Sequence, residues 1–302
     1  MLILEGEIMT SLEIEAFLSI IRCGNISASA KELYVTQSAL SRRLQALENE
    51  LGYPLLLRQK GMHNIQLTEE GKAFLPVAEK WLSLWEETSA IRNLDQKPLL
   101  KMASIGSVST YILPEIFREF LKDNKYNLEF HLYHSQEAYG YVESGLADFA
   151  FVSNPMYSRT VQTIPLFSEP FVLASNQKLG KKDAEIKTES LEAKNEVRLP
   201  WNQEYDAWHR QWFDESIYPN VFLDQMSLME EFLTKENWAI VPWSVGEKLE
   251  EKGFHIYHLS DVPTDRVIYY LIKNDEKKEL VDCVLQLLRK HIASKKNMKI
   301  LG

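Results

Sequence analysis

The sequence predicts a chain of mixed class, an all-α N-terminal part of winged helix-turn-helix type followed by a larger α/β part. Three observations predict it. Residues 36–52 write one helix with a packing face and an outward polar face. Residues 68–91 repeat apolar side chains at helical spacing, and from residue 99 onward apolar runs of strand length alternate with helical stretches. A length of 302 residues with 45% hydrophobic content accommodates about two soluble domains with real cores.

The first helix is written by Leu12, Ala16, Phe17, Ile20 and Ile21, which share the core spacing of a helix that ends near Gly24. A second helix begins close to Ser27 and runs through Ala28, Ala30 and Leu33, with Tyr34 and Val35 as a tight connection. Its small residues let two helices cross closely. The third helix carries the most information. At about 100° per residue, Leu40, Leu44, Leu47 and Leu51 fall within a stripe roughly 60° wide, while Gln37, Ser38, Ser41, Arg42 and Gln45 spread about 120° away. Thr36 supplies an N-cap oxygen. The outward residues are types that hydrogen-bond base edges, Gln to adenine, Arg to guanine and Ser to either. After Gly52, the runs 55–58 and 65–67 around a turn near Gly61 suggest a two-stranded wing, with Arg58 and Lys60 where a wing meets phosphate.

Phe17, Asn25-Ile26-Ser27, Ala28, Ala30, Leu33, Val35-Thr36-Gln37-Ser38-Ala39-Leu40-Ser41-Arg42, Leu44, Leu47-Glu48, Leu51-Gly52, Leu55, Arg58 and Leu67-Thr68-Glu69-Glu70-Gly71 together closely resemble the winged helix-turn-helix of LysR-type transcriptional regulators. The resemblance implies that Gln37, Ser38, Ser41 and Arg42 meet the major groove of double-stranded DNA at an interrupted palindromic promoter site, with Ser27, Thr36, Arg58 and Lys60 on phosphates. In the remaining two-thirds of the chain the likeness is one of pattern.

Thr68 can cap a long helix with Glu69 and Glu70 in its first turn. Phe74, Val77, Ala78, Trp81, Leu84, Trp85 and Ile91 then form an apolar stripe, too large to stand in water. A second copy of the helix is the expected cover, with packing on its own domain as the alternative, so Phe74, Ala78, Trp81 and Trp85 are candidate dimerisation residues. The resemblance implies the same use, in a homodimer or homotetramer. Pro76 removes one helical hydrogen bond, and residues 94–98 read as a hinge.

Beyond the hinge, strand-like runs occur at 99–105, 128–134, 149–153, 171–175, 238–241 and 267–272, with helical stretches at 112–121, 205–213 and 276–291. About 200 residues of α/β pattern suit two small lobes better than one sheet. The chain is expected to cross between lobes near residues 155–165 and to return near 261–266. The domains are therefore 9–67 (winged helix-turn-helix), 68–98 (linker helix and hinge) and 99–302, with lobe I at about 99–160 and 266–302 and lobe II at about 161–265. The resemblance implies a periplasmic-binding-protein-like effector domain.

In open α/β sheets ligands sit beyond the carboxyl ends of strands. Ser104, Ser107, Ser109 and Thr110 follow the first strand, Ser135 and Gln136 the second, and Ser153 and Asn154 the third. By the resemblance, Ser107, Ser135, the Pro200-Trp201-Asn202 turn and Gln225-Met226 match positions that contact effectors. The candidate effector-binding residues are Ser104, Ser107, Ser135, Ser153, Trp201 and Gln225; helix capping explains any one serine equally well. Trp201, Tyr205, Trp208 and Trp212 recur at core spacing, with Trp201 at the edge the better wall for a cleft. His209 and Arg210 either hold a carboxylate or lie on a solvated face.

The chain has a net charge of −9, which alone opposes nucleic-acid binding. Residues 9–67, however, hold six basic and five acidic residues, a net of +1, so the rest carries −10. So weak an electrostatic footprint makes a dimer, with doubled phosphate contacts, close to a physical requirement. Cys23 and Cys283 show no paired spacing and read as ordinary free thiols in a reducing cytosol. Residues 1–8 contain an apolar run too short for a signal peptide or span, Met9 is a plausible natural start, and a cytoplasmic protein is expected. No phosphate loop, dinucleotide fingerprint or nucleophile elbow is present, so no cofactor, metal or catalytic residue is predicted. The competing class is an α/β solute-binding or enzymatic protein with an incidental helical N-terminus.

Overall fold

A computed structural model describes residues 9–57, 65–90, 97–181, 184–234, 236–273 and 277–301. The chain divides into two compact units between Gln96 and Lys97. In the first, α1 (Ser11–Cys23) starts where Glu13 accepts the Thr10 N–H at 2.8 Å and ends at Gly24 with φ 70°. That left-handed conformation favours glycine. Asn25 caps α2 (Ile26–Glu32) by accepting the Ala28 N–H at 2.7 Å. Tyr34, with φ 54°, turns the chain, and Thr36 caps α3 (Gln37–Leu51) by accepting the Ala39 N–H at 3.2 Å. Thus the predicted helix 36–52 is the observed helix with its two caps.

Ile14, Phe17 and Ile20 of α1 close over Ala30 of α2 and Leu40, Leu44 and Leu47 of α3. Leu12, expected in this core, is 49% exposed, and Ile14 takes its place. Around the helix Leu12 lies about 140° from Phe17, whereas Ile14 lies about 60° away. The wing begins where Leu56 bridges Leu67 in antiparallel sense and Leu57 N–H donates to the Gln66 carbonyl at 2.8 Å. Buried Glu48 of α3 accepts the Leu55 and Leu56 N–H groups at 2.8 and 3.3 Å, tying the wing to the helix. Arg58, Lys60 and the turn at Gly61 lie outside the described residues, as does Ile91.

Thr68 caps α4 (Glu69–Ala90) by accepting the Gly71 N–H at 2.8 Å. Two of the four candidate dimerisation residues lie in this unit's own core. Phe74 and Ala78 are 6% and 0% exposed and belong to this unit's own core, with the Phe74 ring 5.6 Å from Phe17. Trp81 packs partly on the same core and stacks at 5.8 Å on Trp85. The outward apolar groups are Val77, Leu84 and Trp85, 55%, 53% and 51% exposed. Val77 and Leu84 sit roughly 60–80° off the Phe74 line, and Trp85 continues that line past the last buried turn.

The second unit begins with β1 (Leu99–Ser104), α5 (Gly106–Tyr111), α6 (Leu113–Phe120), β2 (Asn127–Leu132), α7 (Ser135–Ser144), β3 (Phe149–Val152) and β4 (Gln162–Glu169). It continues through β5 (Phe171–Ser175), β6 (Glu185–Ile186), β7 (Val197–Arg198), α8 (Gln203–Trp212), β8 (Val221–Phe222), α9 (Met229–Phe232), β9 (Trp238–Pro242), α10 (Trp243–Glu251) and β10 (His255–Leu259). It closes with β11 (Arg266–Ile272), α11 (Lys278–Ala293) and β12 (Lys299–Ile300). One sheet has the order β12-β4-β11-β3-β1-β2, with β1 parallel to β2 and β3, and β11 antiparallel to β3 and β4. Alternation along the strands splits its core. Leu100, Met102, Phe149 and Phe151 meet α6 and α11 through Ile116, Val284 and Leu288, while Ala103, Ala150 and Val152 meet Ala138 and Val142 of α7. The other sheet has the order β6-β10-β5-β9, extended beside β9 by β7 and β8 through a Glu196–Trp238 bridge. Tyr205 and Trp208 of α8 and Val245 and Leu249 of α10 fill its core.

The first crossing between the lobes lies later than the expected 155–165, at Pro170. β4 stays in the first sheet through Glu169, paired with β11. Pro165 reads as a breaker in the sequence, but it sits where the β4–β11 register shifts, the place a strand tolerates a residue without an N–H. The return crossing ends where expected, at Arg266, the first residue of β11. The predicted helix 112–121 is α6 with its two caps, Ile112 and Leu121, and the short α5 precedes it, unpredicted.

Candidate functional site

Two surfaces carry candidate chemistry, one in each unit. On the first unit, Thr36, Gln37, Ser38, Ser41 and Arg42 are all exposed at the start of α3, and Ser27 is exposed at the start of α2. Leucines buried on the opposite side hold the helix by one face only. The Thr36 hydroxyl is engaged at the cap and lies 3.0 Å from the Ser38 hydroxyl. Arg42 donates through Nε to the Ser38 carbonyl at 3.3 Å and has no carboxylate partner among the described residues. By contrast Arg22 is paired with Glu32 at 2.6 Å. The helix therefore presents an unneutralised guanidinium, an amide and two hydroxyls, the set that reads base edges in a major groove.

In the second unit a cleft of about 610 Å³ opens between the lobes, a size that suits a small molecule. Parallel pairing of β1, β2 and β3 brings their carboxyl ends to one edge. The loops there contribute Gly106 and Ser107, His134 to Gln136, and Ser153 to Met156. Lobe II supplies residues 199–201, Gln203 and residues 224–226. The two walls come close at Gly106, where a Cβ would just reach van der Waals contact with the Met226 Cβ at 3.4 Å.

Of the predicted residues, Ser107, Ser135, Ser153, Trp201 and Gln225 line this cleft. Ser104 does not: it is fully buried at the end of β1, and its hydroxyl donates to the Ile105 carbonyl at 3.2 Å. It precedes the edge by one residue too many. Ser153 spends its proton on the Trp201 carbonyl at 3.2 Å, a bond between the lobes. Trp201 is both core and wall. Its indole N–H donates to the Ile240 carbonyl at 2.7 Å, while its ring packs on Phe171 at 6.3 Å. His209 lies away from the cleft, buried in lobe II, where Glu196 sits 2.8 Å from its Nε2. Burial first, and then the Glu196 charge, hold the neighbouring Tyr205 phenol well above its ordinary pKa.

Two residues that sequence reasoning passed over meet at the cleft floor. Arg266 and Glu169 are register partners across β11 and β4, 1% and 0% exposed, with Nη2 2.5 Å from Oε1. Arg266 also donates through Nη1 to the Ser107 hydroxyl at 2.7 Å and lies 5.5 Å from the Trp201 ring centroid. Glu169 accepts the Ser244 N–H at the start of α10 at 2.8 Å. The signal was a charge at the inner end of each strand flanking a crossing, where an apolar residue would be the default.

Among the described residues no helix is long and apolar enough to cross a membrane, and no three His, Cys, Asp or Glu side chains form a metal-binding group. Residues 12–72 match the family model of the bacterial regulatory helix-turn-helix protein, lysR family, and residues 95–293 match the LysR substrate binding domain. The HTH-type transcriptional regulator CzcR of Bacillus thuringiensis is 30% identical over 177 residues, which cover 58% of this chain and 58% of that one. The similarity thus spans little more than half of that relative. In fold, the chain is similar to CbnR, solved in complex with its target DNA, at TM-score 0.67, 20% identity and coverage of 93% and 99% of the two chains. A full-length OxyR from Pseudomonas aeruginosa gives TM-score 0.63 at 17% identity, covering 94% and 96%.

Proposed function

The chain belongs to the LysR family of bacterial regulatory proteins, and from that premise we propose that it is a transcription regulator that binds promoter DNA and responds to a small molecule. Residues 9–67 are the DNA-binding part, 68–98 the dimerising link and 99–302 the effector-binding part. The observation that carries the reading is the exposed set Gln37, Ser38, Ser41 and Arg42 on a helix anchored by its opposite face. Ser27 and Thr36, with Arg58 and Lys60 of the wing, would hold phosphates. Because the unit carries so little net charge, two copies would act together on an interrupted palindrome. Val77, Leu84 and Trp85 of α4 support an apolar contact between them. The small molecule would sit in the cleft against Ser107, Ser135, Trp201 and Gln225 and act by biasing lobe closure.

The test is a fluorescence-anisotropy titration of the full chain with the promoter region of its own gene and with scrambled DNA, over a salt series. The expected result is preference for the promoter with an affinity that falls as salt rises. Arg42→Ala should cost about 1–3 kcal/mol and relax specificity. Equal affinity for both DNAs, or undiminished binding by Arg42→Ala, refutes the assignment. Turnover or ligand binding by a chain with no DNA preference would favour the solute-binding or enzymatic reading.

A further inference from the structure

The floor of the cleft contains an arginine with two of its three nitrogens already engaged. Arg266 is almost wholly buried, donates through Nη1 to the Ser107 hydroxyl at 2.7 Å and pairs through Nη2 with Glu169 at 2.5 Å. A serine hydroxyl offers one proton and two lone pairs. At Ser107 the guanidinium occupies a lone pair, and no acceptor among the described residues takes the proton. Ser135 repeats the pattern, its oxygen accepting the Asn154 N–H at 3.4 Å. Both hydroxyls line the cleft.

We propose that Arg266 is a positioning residue for ligand specificity: by occupying one lone pair of Ser107 and setting its positive charge behind that oxygen, it polarises the hydroxyl toward donation, so the cleft floor favours a ligand group that accepts, such as a carboxylate or carbonyl oxygen. Glu169 balances the guanidinium, so the floor offers the ligand a polarised hydroxyl in place of a bare cation. An arginine able to reach the ligand directly would select for net charge; one held behind Ser107 selects for an acceptor at one point. The two engaged nitrogens and the Trp201 ring, 5.5 Å from the guanidinium carbon, hold the group in place.

The inference rests on the cleft being the ligand site, but its test uses neither DNA nor effector, so the failure of either is told apart. Ser107→Cys is introduced into the full chain with Cys23→Ser and Cys283→Ser, and the introduced thiol is titrated by the ultraviolet absorbance of its thiolate. A thiolate accepting from a fixed guanidinium is stabilised, so its pKa should lie at least about one unit below the ~8.5 of an ordinary thiol, a tenfold larger thiolate fraction in the steep part of the curve. Arg266→Met together with Glu169→Gln removes both charges and should return it to ~8.5 or above, since burial alone raises a thiol. Arg266→Lys should retain part of the depression. A thiol at or above ~8.5 in the parent overturns the proposal, and that measurement stands even where the double variant fails to fold. An equal pKa in the parent and in a folded double variant overturns it as well.

Discussion

Gly71→Ala should destabilise the first unit, although the same change in an ordinary helix interior gains about 1 kcal/mol of helix propensity. A Cβ at residue 71 would lie 2.1 Å from the Leu55 carbonyl oxygen and 3.0 Å from both the Leu55 carbonyl carbon and the Leu67 Cδ2. The first obstacle is backbone, so the start of α4 and the strand at Leu55 must separate by about 1 Å to reach ordinary contact. That movement pulls on a tight joint. Thr68 N–H donates to the same Leu55 oxygen at 3.0 Å, the Thr68 hydroxyl donates to the Pro54 carbonyl at 2.7 Å, and it accepts the Gly71 N–H at 2.8 Å. Overpacking costs about 1–3 kcal/mol. Weakening two of those hydrogen bonds adds about 1 kcal/mol each. Less the propensity gain, the net loss is about 2–4 kcal/mol, which lowers the Tm of so small a unit by roughly 10 °C or more. Calorimetry of the full chain resolves the transition that Gly71→Ala moves. A Tm equal to or above that of the parent would refute the steric argument, for then Leu55 gives way at no cost.

Leu84→Glu, placing a charge on the outward face of α4, should shift the full chain toward monomer in sedimentation velocity and leave its melting temperature nearly unchanged, since Leu84 is 53% exposed. An unchanged sedimentation coefficient would remove that face from the dimer contact. Trp201→Phe keeps the ring but loses the 2.7 Å bond to the Ile240 carbonyl, costing about 1–2 kcal/mol in urea unfolding of the second unit; no measurable cost would mean that Ile240 finds another donor. His291, 3.4 Å from Glu115 and near Lys248, Lys295 and Glu247, is held below its usual pKa by burial, which outweighs Glu115. Its neutral form favours folding, so its contribution is complete above the unfolded value of about 6.5 and is lost as pH falls through that value toward the folded one. Glu115, held below the carboxylate range chiefly by its hydrogen bond from Lys248, weakens the fold only in stronger acid, as pH falls from its unfolded value through its folded one. Melting temperature should therefore fall as pH drops through the ordinary histidine value of about 6.5, and less steeply in His291→Gln; identical profiles would show that the burial of His291 is not the cause.

The helix-turn-helix was legible because each of its decisions is local. Thr36 and Gly52 cap α3 from within four residues, and Leu40, Leu44 and Leu47 need only helical geometry to share a face. The α4 stripe was legible as helix, but periodicity cannot say which of its apolar residues, Phe74 or Leu84, meets its own domain. In the second unit, the strand ends that carry Ser107 and Ser135 followed from chain order. Glu169 and Arg266 did not. They are 97 residues apart, and only the register of two antiparallel strands places them together. Pro165 hid the strand that brings Glu169 there, because its cost depends on the bulge beside it at Leu166, which only the pairing with β11 reveals.

That ion pair also constrains what a ligand must do. Arg266 spends its second committed nitrogen on Ser107 in lobe I, and Glu169 its second oxygen on the α10 amide in lobe II, so a change in lobe angle strains one of the two bonds. Apolar residues of the same volume would be about as stable there, but without direction. For a ligand to invert a 1:99 equilibrium between two closures it must favour one by about 5.5 kcal/mol. Two hydroxyls donating to a charged acceptor furnish roughly 3–6 kcal/mol if the bonds form in only one closure. Bonds to lobe I alone, however, form equally well in both closures and shift nothing. The differential must come from contacts that exist only when both lobes are engaged, with Leu132 and Met156 on one side and Trp201 and Met226 on the other. At about 25 cal/mol per Å², roughly 200 Å² of ligand surface covered only on closure supplies 5 kcal/mol. An acceptor group small enough to rest on Ser107 and Ser135 alone should therefore bind without switching the protein, while the same group on an apolar body that reaches Met226 should do both.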